Sequence, residues 1–164
     1  SKAVAADEAA RRAGEKPEKL AKVLGAVGDA DELMKNTQFG SCVFANKPGD
    51  GSAREQAASC QKVLGGFGNI CYEFATKRYR SNLINWGMLP LLIEEGALPF
   101  RNGDWILLPD IRAAVLEKRD KIMGFAAVDG TLRTIWMTLG DMTDHERQII
   151  ADGCLINFNR RKRT

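Results

Sequence analysis

Ser52 and Arg54 are the residues whose types and spacing are best suited to chemistry. They lie two apart in Gly49-Asp50-Gly51-Ser52-Ala53-Arg54-Glu55, with Gln56-Ala57-Ala58 directly behind. Glycines let a backbone turn tightly and bring its amides close to a ligand. A helix that starts here exposes unpaired N–H groups and the positive end of its dipole, and both attract anions. Arg54 adds a forked, permanent cation suited to a carboxylate. The segment reads as an anion cradle with a hydroxyl inside it. The same residues also fit a plain glycine turn in which Ser52 caps the helix and Arg54 is a solvated first-turn side chain.

Little else in the chain offers a reactive constellation. His145 is the single histidine, and Cys42, Cys60, Cys71 and Cys154 form no Cys-x-x-Cys pair, so neither a zinc nor a redox motif is present. Cys42, Cys71 and Cys154 sit in apolar patterns and read as buried, reduced thiols of a cytoplasmic protein; Cys60 reads as core as well. With 164 residues, 45% of them apolar and 27% charged, the composition is that of a soluble domain with a sizeable core. The net charge of +3 is too small to imply nucleic acid, although Lys77–Arg80 and Arg160–Arg163 are basic clusters. Such a tail is a solvated terminus or a phosphate-attracting one. No secretory leader is visible, and no apolar run approaches the ~20 residues of a membrane span, so no membrane partner is expected. The chain opens on Ser1 rather than Met, as a piece of a longer protein or a processed end would.

The elements that must position the cradle can be read from periodicity and punctuation. Residues 1–39 form a helical arm or insertion, with Pro17 in a first turn, Leu20, Val23, Leu24 and Val27 as a stripe, and a short helix at Asp31–Lys35. The second segment is residues 40–164. Ser41–Asn46 is a strand, the cradle follows, and a helix runs through Ala58, Cys60, Val63 and Leu64 to Gly65-Gly66. Asn69–Phe74 is the next strand, which makes a βαβ unit and a parallel pair. Pro90 is expected to stop regular structure in Asn82–Leu92. Trp105–Leu108 is a strand and Asp110 caps a short helix. Ile122–Val128 and Thr131–Met137 flank Asp129-Gly130, a two-residue hairpin signal. Thr143-Asp144-His145-Glu146 is a capping box that opens a C-terminal helix reaching Cys154, with His145 on the surface. The fold class is α/β.

Several of these segments together resemble the C-terminal swivel domain of the aconitase superfamily. In that family a strand enters a Gly-x-Gly-Ser-Ser-Arg-Glu loop, and an Asn-Leu pair, a Gly and Leu-Pro-Leu follow downstream. Here these are Gly49–Glu55, Asn82-Leu83, Gly87 and Leu89-Pro90-Leu91. The resemblance covers residues 40–157. It implies a swivelling β/β/α domain and a hydro-lyase that dehydrates and rehydrates a hydroxy di- or tricarboxylate. It further implies a 4Fe-4S cluster held in other domains, with none in this chain, and an isolated chain without activity. Carried over by position, Ser52 is the catalytic base and Arg54 the carboxylate binder, with Gly51, Ala53 and Asn82 completing the substrate site. Ala53 stands where the family has a second serine, Tyr79 near where many members carry a histidine, and Arg11 and Arg12 do not match the family's upstream arginine. The implied partners are the cluster-bearing domains and a small carboxylate. Two alternatives stay open: a small subunit of an isopropylmalate- or homoaconitate-type isomerase, and a non-catalytic RNA-binding module.

Overall fold

The computed structural model describes residues 2–163; Ser1 and Thr164, where the two expected segments have their outer limits, lie outside the described residues. The N-terminal arm consists of α1 (Lys2–Arg12), α2 (Glu18–Gly25) and α3 (Ala30–Asn36). Pro17 stands at the N-cap of α2, and the Asp29 carboxylate accepts from the amides of Asp31 and Glu32 to cap α3. Leu20 and Leu24 are one helical turn apart and fully buried with Met34 and Phe39, forming a cluster of their own that packs on Trp105 and Leu107. The Glu8 carboxylate ties the arm together. It accepts from Arg11 Nε at 2.8 Å, Arg12 Nε at 2.8 Å and the amide of Phe39 at 3.2 Å.

The first sheet is parallel, with strand order β1 (Ser41–Ala45), β2 (Gly66–Cys71), β3 (Leu89–Leu92). Two crossover helices connect these strands, α4 (Arg54–Val63) and α5 (Lys77–Asn85). Three sequence expectations need correction here. The second strand starts at Gly66, three residues before the expected start at Asn69, and ends at Cys71. Gly66 does not end the helix; Gly65, at φ +84°, does. A Cβ on Gly66 would meet Gln61 O at 2.7 Å, so the glycine that lowers strand propensity is what lets β2 pass this close to α4. Pro90 does not stop regular structure either. It sits buried inside β3, an end strand of the parallel sheet, paired with Asn69.

The second sheet is antiparallel: β4 (Trp105–Leu107), then α6 (Ile111–Leu116), then the β5 (Ile122–Val128) and β6 (Thr131–Met137) hairpin. Asp129 and Gly130 both have positive φ, 49° and 78°, as a tight two-residue turn requires. Asp110 precedes α6 as expected but lies in the left-handed region and makes no side-chain cap. The Thr143 capping box is present, with both reciprocal bonds, on α7 (Asp144–Ala151). The expected single C-terminal helix is two: Gly153, at φ +89°, breaks it, and α8 (Leu155–Arg161) follows. Ile70 and Leu91 of the first sheet share one core with Val115, Ile122, Ile135 and Met137, and an antiparallel bridge between Leu92 and Thr138 joins the two sheets. No helix among the described residues is long and apolar enough to cross a membrane.

Candidate functional site

The chain leaves β1 at Ala45 and reaches α4 through residues 46–53, so the loop lies at the C-terminal end of a parallel strand. In open parallel sheets that end is where ligands gather. Gly49 is the pivot of the loop. Its φ is +100°, and a Cβ built there would meet Cβ of Tyr79 at 2.5 Å and the Tyr79 ring at 2.6 Å, so only glycine fits. The carbonyl of Gly49 accepts from Arg54 Nε and from Thr76 Oγ1, each at 3.0 Å. Thr76 in turn accepts from the amide of Tyr79 at 3.2 Å and so caps α5. The loop is therefore fastened to the start of the next helix through one threonine.

Arg54 also donates from Nη2 to the carbonyl of Asp50 at 3.3 Å. The guanidinium clasps its own loop with Nε and one Nη2 proton, which leaves the Nη1 protons and the other Nη2 proton for a ligand. No side chain caps α4: Ala53 occupies the N-cap position with φ −89° and ψ 51°. This overturns the reading of Ser52 as the cap, and it leaves the leading amides of the helix without a side-chain partner. Ser52 and Gly51 are exposed, and the Ser52 hydroxyl has no hydrogen-bond partner among the described residues. Gly51 differs from Gly49 in having no positive φ and nothing within 4 Å of a built Cβ. Of the residues expected at the site, Gly51, Ser52, Ala53 and Arg54 share this loop. Asn82 lies one helix away, half-buried on α5, and makes no side-chain hydrogen bond among the described residues.

Two residues to which the sequence assigned no part in the cradle, Tyr79 and Trp86, lie beneath and beside the loop. The Tyr79 hydroxyl is buried and accepts from Nε2 of Gln61 and Nδ2 of Asn69, both at 2.9 Å, while its ring lies under Gly49. Trp86, at the end of α5, donates from Nε1 to Glu55 Oε1 at 3.0 Å. A Thr three residues before Tyr79 was the one available sequence signal, as a helix N-cap. Beside the loop runs a cleft of about 510 Å³, lined among others by Lys47, Tyr72, Glu73, Glu94, Lys121 and Trp136. Arg11 and Arg12 are far from any such role and hold Glu8.

The cysteines do not make a cluster site. All of them are free. Cys60 is exposed rather than core, Cys42 is exposed and Cys154 half-buried, against expectation. Cys71 is buried, and burial with the nearby Glu73 charge pushes its thiol up to about 12, which disfavours the thiolate a metal needs. No group of three or more His, Cys, Asp or Glu among the described residues could hold a metal ion. The donor set of this chain does not fit an iron–sulfur cluster.

The family model of the aconitase C-terminal domain matches residues 6–96, from α1 through β3 and including the loop. Aconitate hydratase A of Bradyrhizobium diazoefficiens is 27% identical over 142 residues, which are 84% of this chain and 16% of that protein. The chain thus spans a small part of the curated relative it matches. A match across more than half of the sequence, on a mixed α/β fold whose glycine loop opens an uncapped helix, places this chain in the aconitase C-terminal domain family.

Proposed function

We propose that this chain is the swivel domain of an aconitase-type hydro-lyase, and that it delivers a serine base and a carboxylate-binding arginine to a hydroxy di- or tricarboxylate. The observation that carries the proposal is the loop: a free Ser52 hydroxyl beside the open amides of α4, with Arg54 held in place by the carbonyls of Gly49 and Asp50. In such an enzyme the 4Fe-4S cluster, held by other domains, supplies Lewis-acid chemistry at the substrate hydroxyl. The residues here bind and orient a carboxylate and take the proton next to it.

A serine hydroxyl in water is too weak an acid to serve as a base. Helix-start amides and the Arg54 charge stabilise its anion, and most strongly where water is excluded. Ser52 is exposed in this chain, so exclusion of water falls to closure against the other domains. Gly51 and Ala53 contribute backbone amides and space; Ala53 offers no second hydroxyl. Asn82, on α5, enters the proposal only through its match to the family's Asn-Leu pair. In the complete enzyme, Ser52→Ala abolishes turnover and leaves substrate binding nearly intact. Arg54→Lys weakens binding, because a point charge replaces neither the fork nor the clasp on the loop. Full activity in both variants would make the cradle purely structural and defeat the proposal.

A further inference from the structure

Glu55 is the acidic residue in the first turn of α4, immediately after Arg54. An acid in the first turn is attracted by the open amides of its own helix start and by the nearby Arg54 charge, and settling on either would fill the cradle from within. It takes neither. Its Oε1 instead accepts from the indole Nε1–H of Trp86 at 3.0 Å, across the gap between α4 and the end of α5. Trp86 is held there by packing with Ala58, Leu83 and Met88, so the donor is fixed by the core beneath it. We propose that Trp86 is a positioning residue that draws the Glu55 carboxylate away from the cradle and so keeps the α4 amides and the free edge of Arg54 open to an incoming carboxylate. The inference rests on the cradle reading above and adds a second component to it.

The test uses the 164-residue chain with isotope-labelled amides and indole. The probe is tricarballylate, a tricarboxylate with no hydroxyl to eliminate. First, Glu55→Ala moves the Trp86 indole N–H resonance; an unmoved resonance shows the bond is not made, and ends the proposal while leaving the cradle reading standing. Second, tricarballylate shifts the amides of residues 51–56 saturably, Trp86→Phe weakens its affinity about three- to tenfold, and Trp86→Phe combined with Glu55→Gln restores it. Equal affinity in the wild-type and Trp86→Phe chains overturns the proposal. A loss that Glu55→Gln does not restore also overturns it, because Trp86 then acts through packing alone. If residues 51–56 do not respond in either the wild-type or the Glu55→Gln chain, the cradle reading itself fails and takes the proposal with it.

Discussion

Gly49→Ala is the sharpest test of how the loop is held. The residue sits at φ +100°, outside the range an alanine adopts without strain, at a cost of about 1–2 kcal/mol. The new methyl would also lie 2.5 Å from Cβ of Tyr79, a buried residue whose ring is fixed by two amide donors and cannot swing aside. Overpacking of this kind costs a further ~1–3 kcal/mol. If the loop shifts to relieve the contact, the bonds of Thr76 and Arg54 to the Gly49 carbonyl go with it, at a similar price. The expected loss is about 2–5 kcal/mol, or roughly 4–20 °C in Tm for a chain of this size. Gly51→Ala, two residues on, meets open space at an ordinary φ and stays within about 0.5 kcal/mol of wild type. Urea unfolding of the two variants beside wild type reads both numbers. Equal stability of the pair, in either direction, would refute the claim that the loop pivots on Gly49 rather than on Gly51.

Ser52→Ala leaves thermal stability within about 0.5 kcal/mol of wild type by calorimetry, because the hydroxyl has no partner to lose among the described residues. Tyr79→Phe keeps the ring under Gly49 but strips Gln61 and Asn69 of their shared acceptor, and chemical denaturation records a loss of about 2 kcal/mol. At Glu8, burial pushes the carboxyl up, and the Arg11 and Arg12 hydrogen bonds, with the Arg11 charge and the Phe39 amide, more than reverse this, so its folded pKa is lowered. A depressed carboxyl contributes stability that is present above its unfolded pKa of ~4.3 and is lost as pH falls through the lower folded value. Hydrogen exchange in α1 therefore speeds up in that acid window before the sheets open, and Glu8→Gln removes the pH dependence of this step.

Where one local rule decides the outcome, the sequence is easy to read. Asp129-Gly130 fixes a two-residue hairpin and both strands beside it; Thr143 with Glu146 fixes a helix start; Leu20 and Leu24 fix the buried face of α2. Tertiary contact hid the rest. Gly66 reads as a helix stop, yet β2 needs it to approach Gln61, where a built Cβ would meet the Gln61 carbonyl oxygen at 2.7 Å. Lys77–Arg80 reads as a charge cluster, but Tyr79 turns inward and Arg80 reaches the carbonyls of Leu139 and Asp141, so the segment is the start of α5. At the site, the loop residues are legible as a motif. The role of Thr76 and the Trp86–Glu55 bond are not, because only the packing of α4 and its loop on α5 brings those partners together, and the clasp by Arg54 is not, because it depends on how the loop folds back on its own carbonyls.

The joint between the two sheets also orders the folding of the chain. Leu92 and Thr138 exchange backbone hydrogen bonds of 2.8 and 2.9 Å, and both Arg80 contacts are 2.7 Å, linking residues about sixty apart in sequence. During synthesis, β3 stays an unprotected edge and Arg80 stays without its acceptors until residues 138–141 have left the ribosome. The half of the chain that carries the loop shares its core with the half that does not, since Ile70 and Leu91 pack with Ile122 and Met137. Pairings of such long range are slow to form. A nascent chain that stops shortly after β3 therefore has every residue of the cradle but lacks half of the core beneath its sheet, and it presents an open strand edge to its neighbours meanwhile.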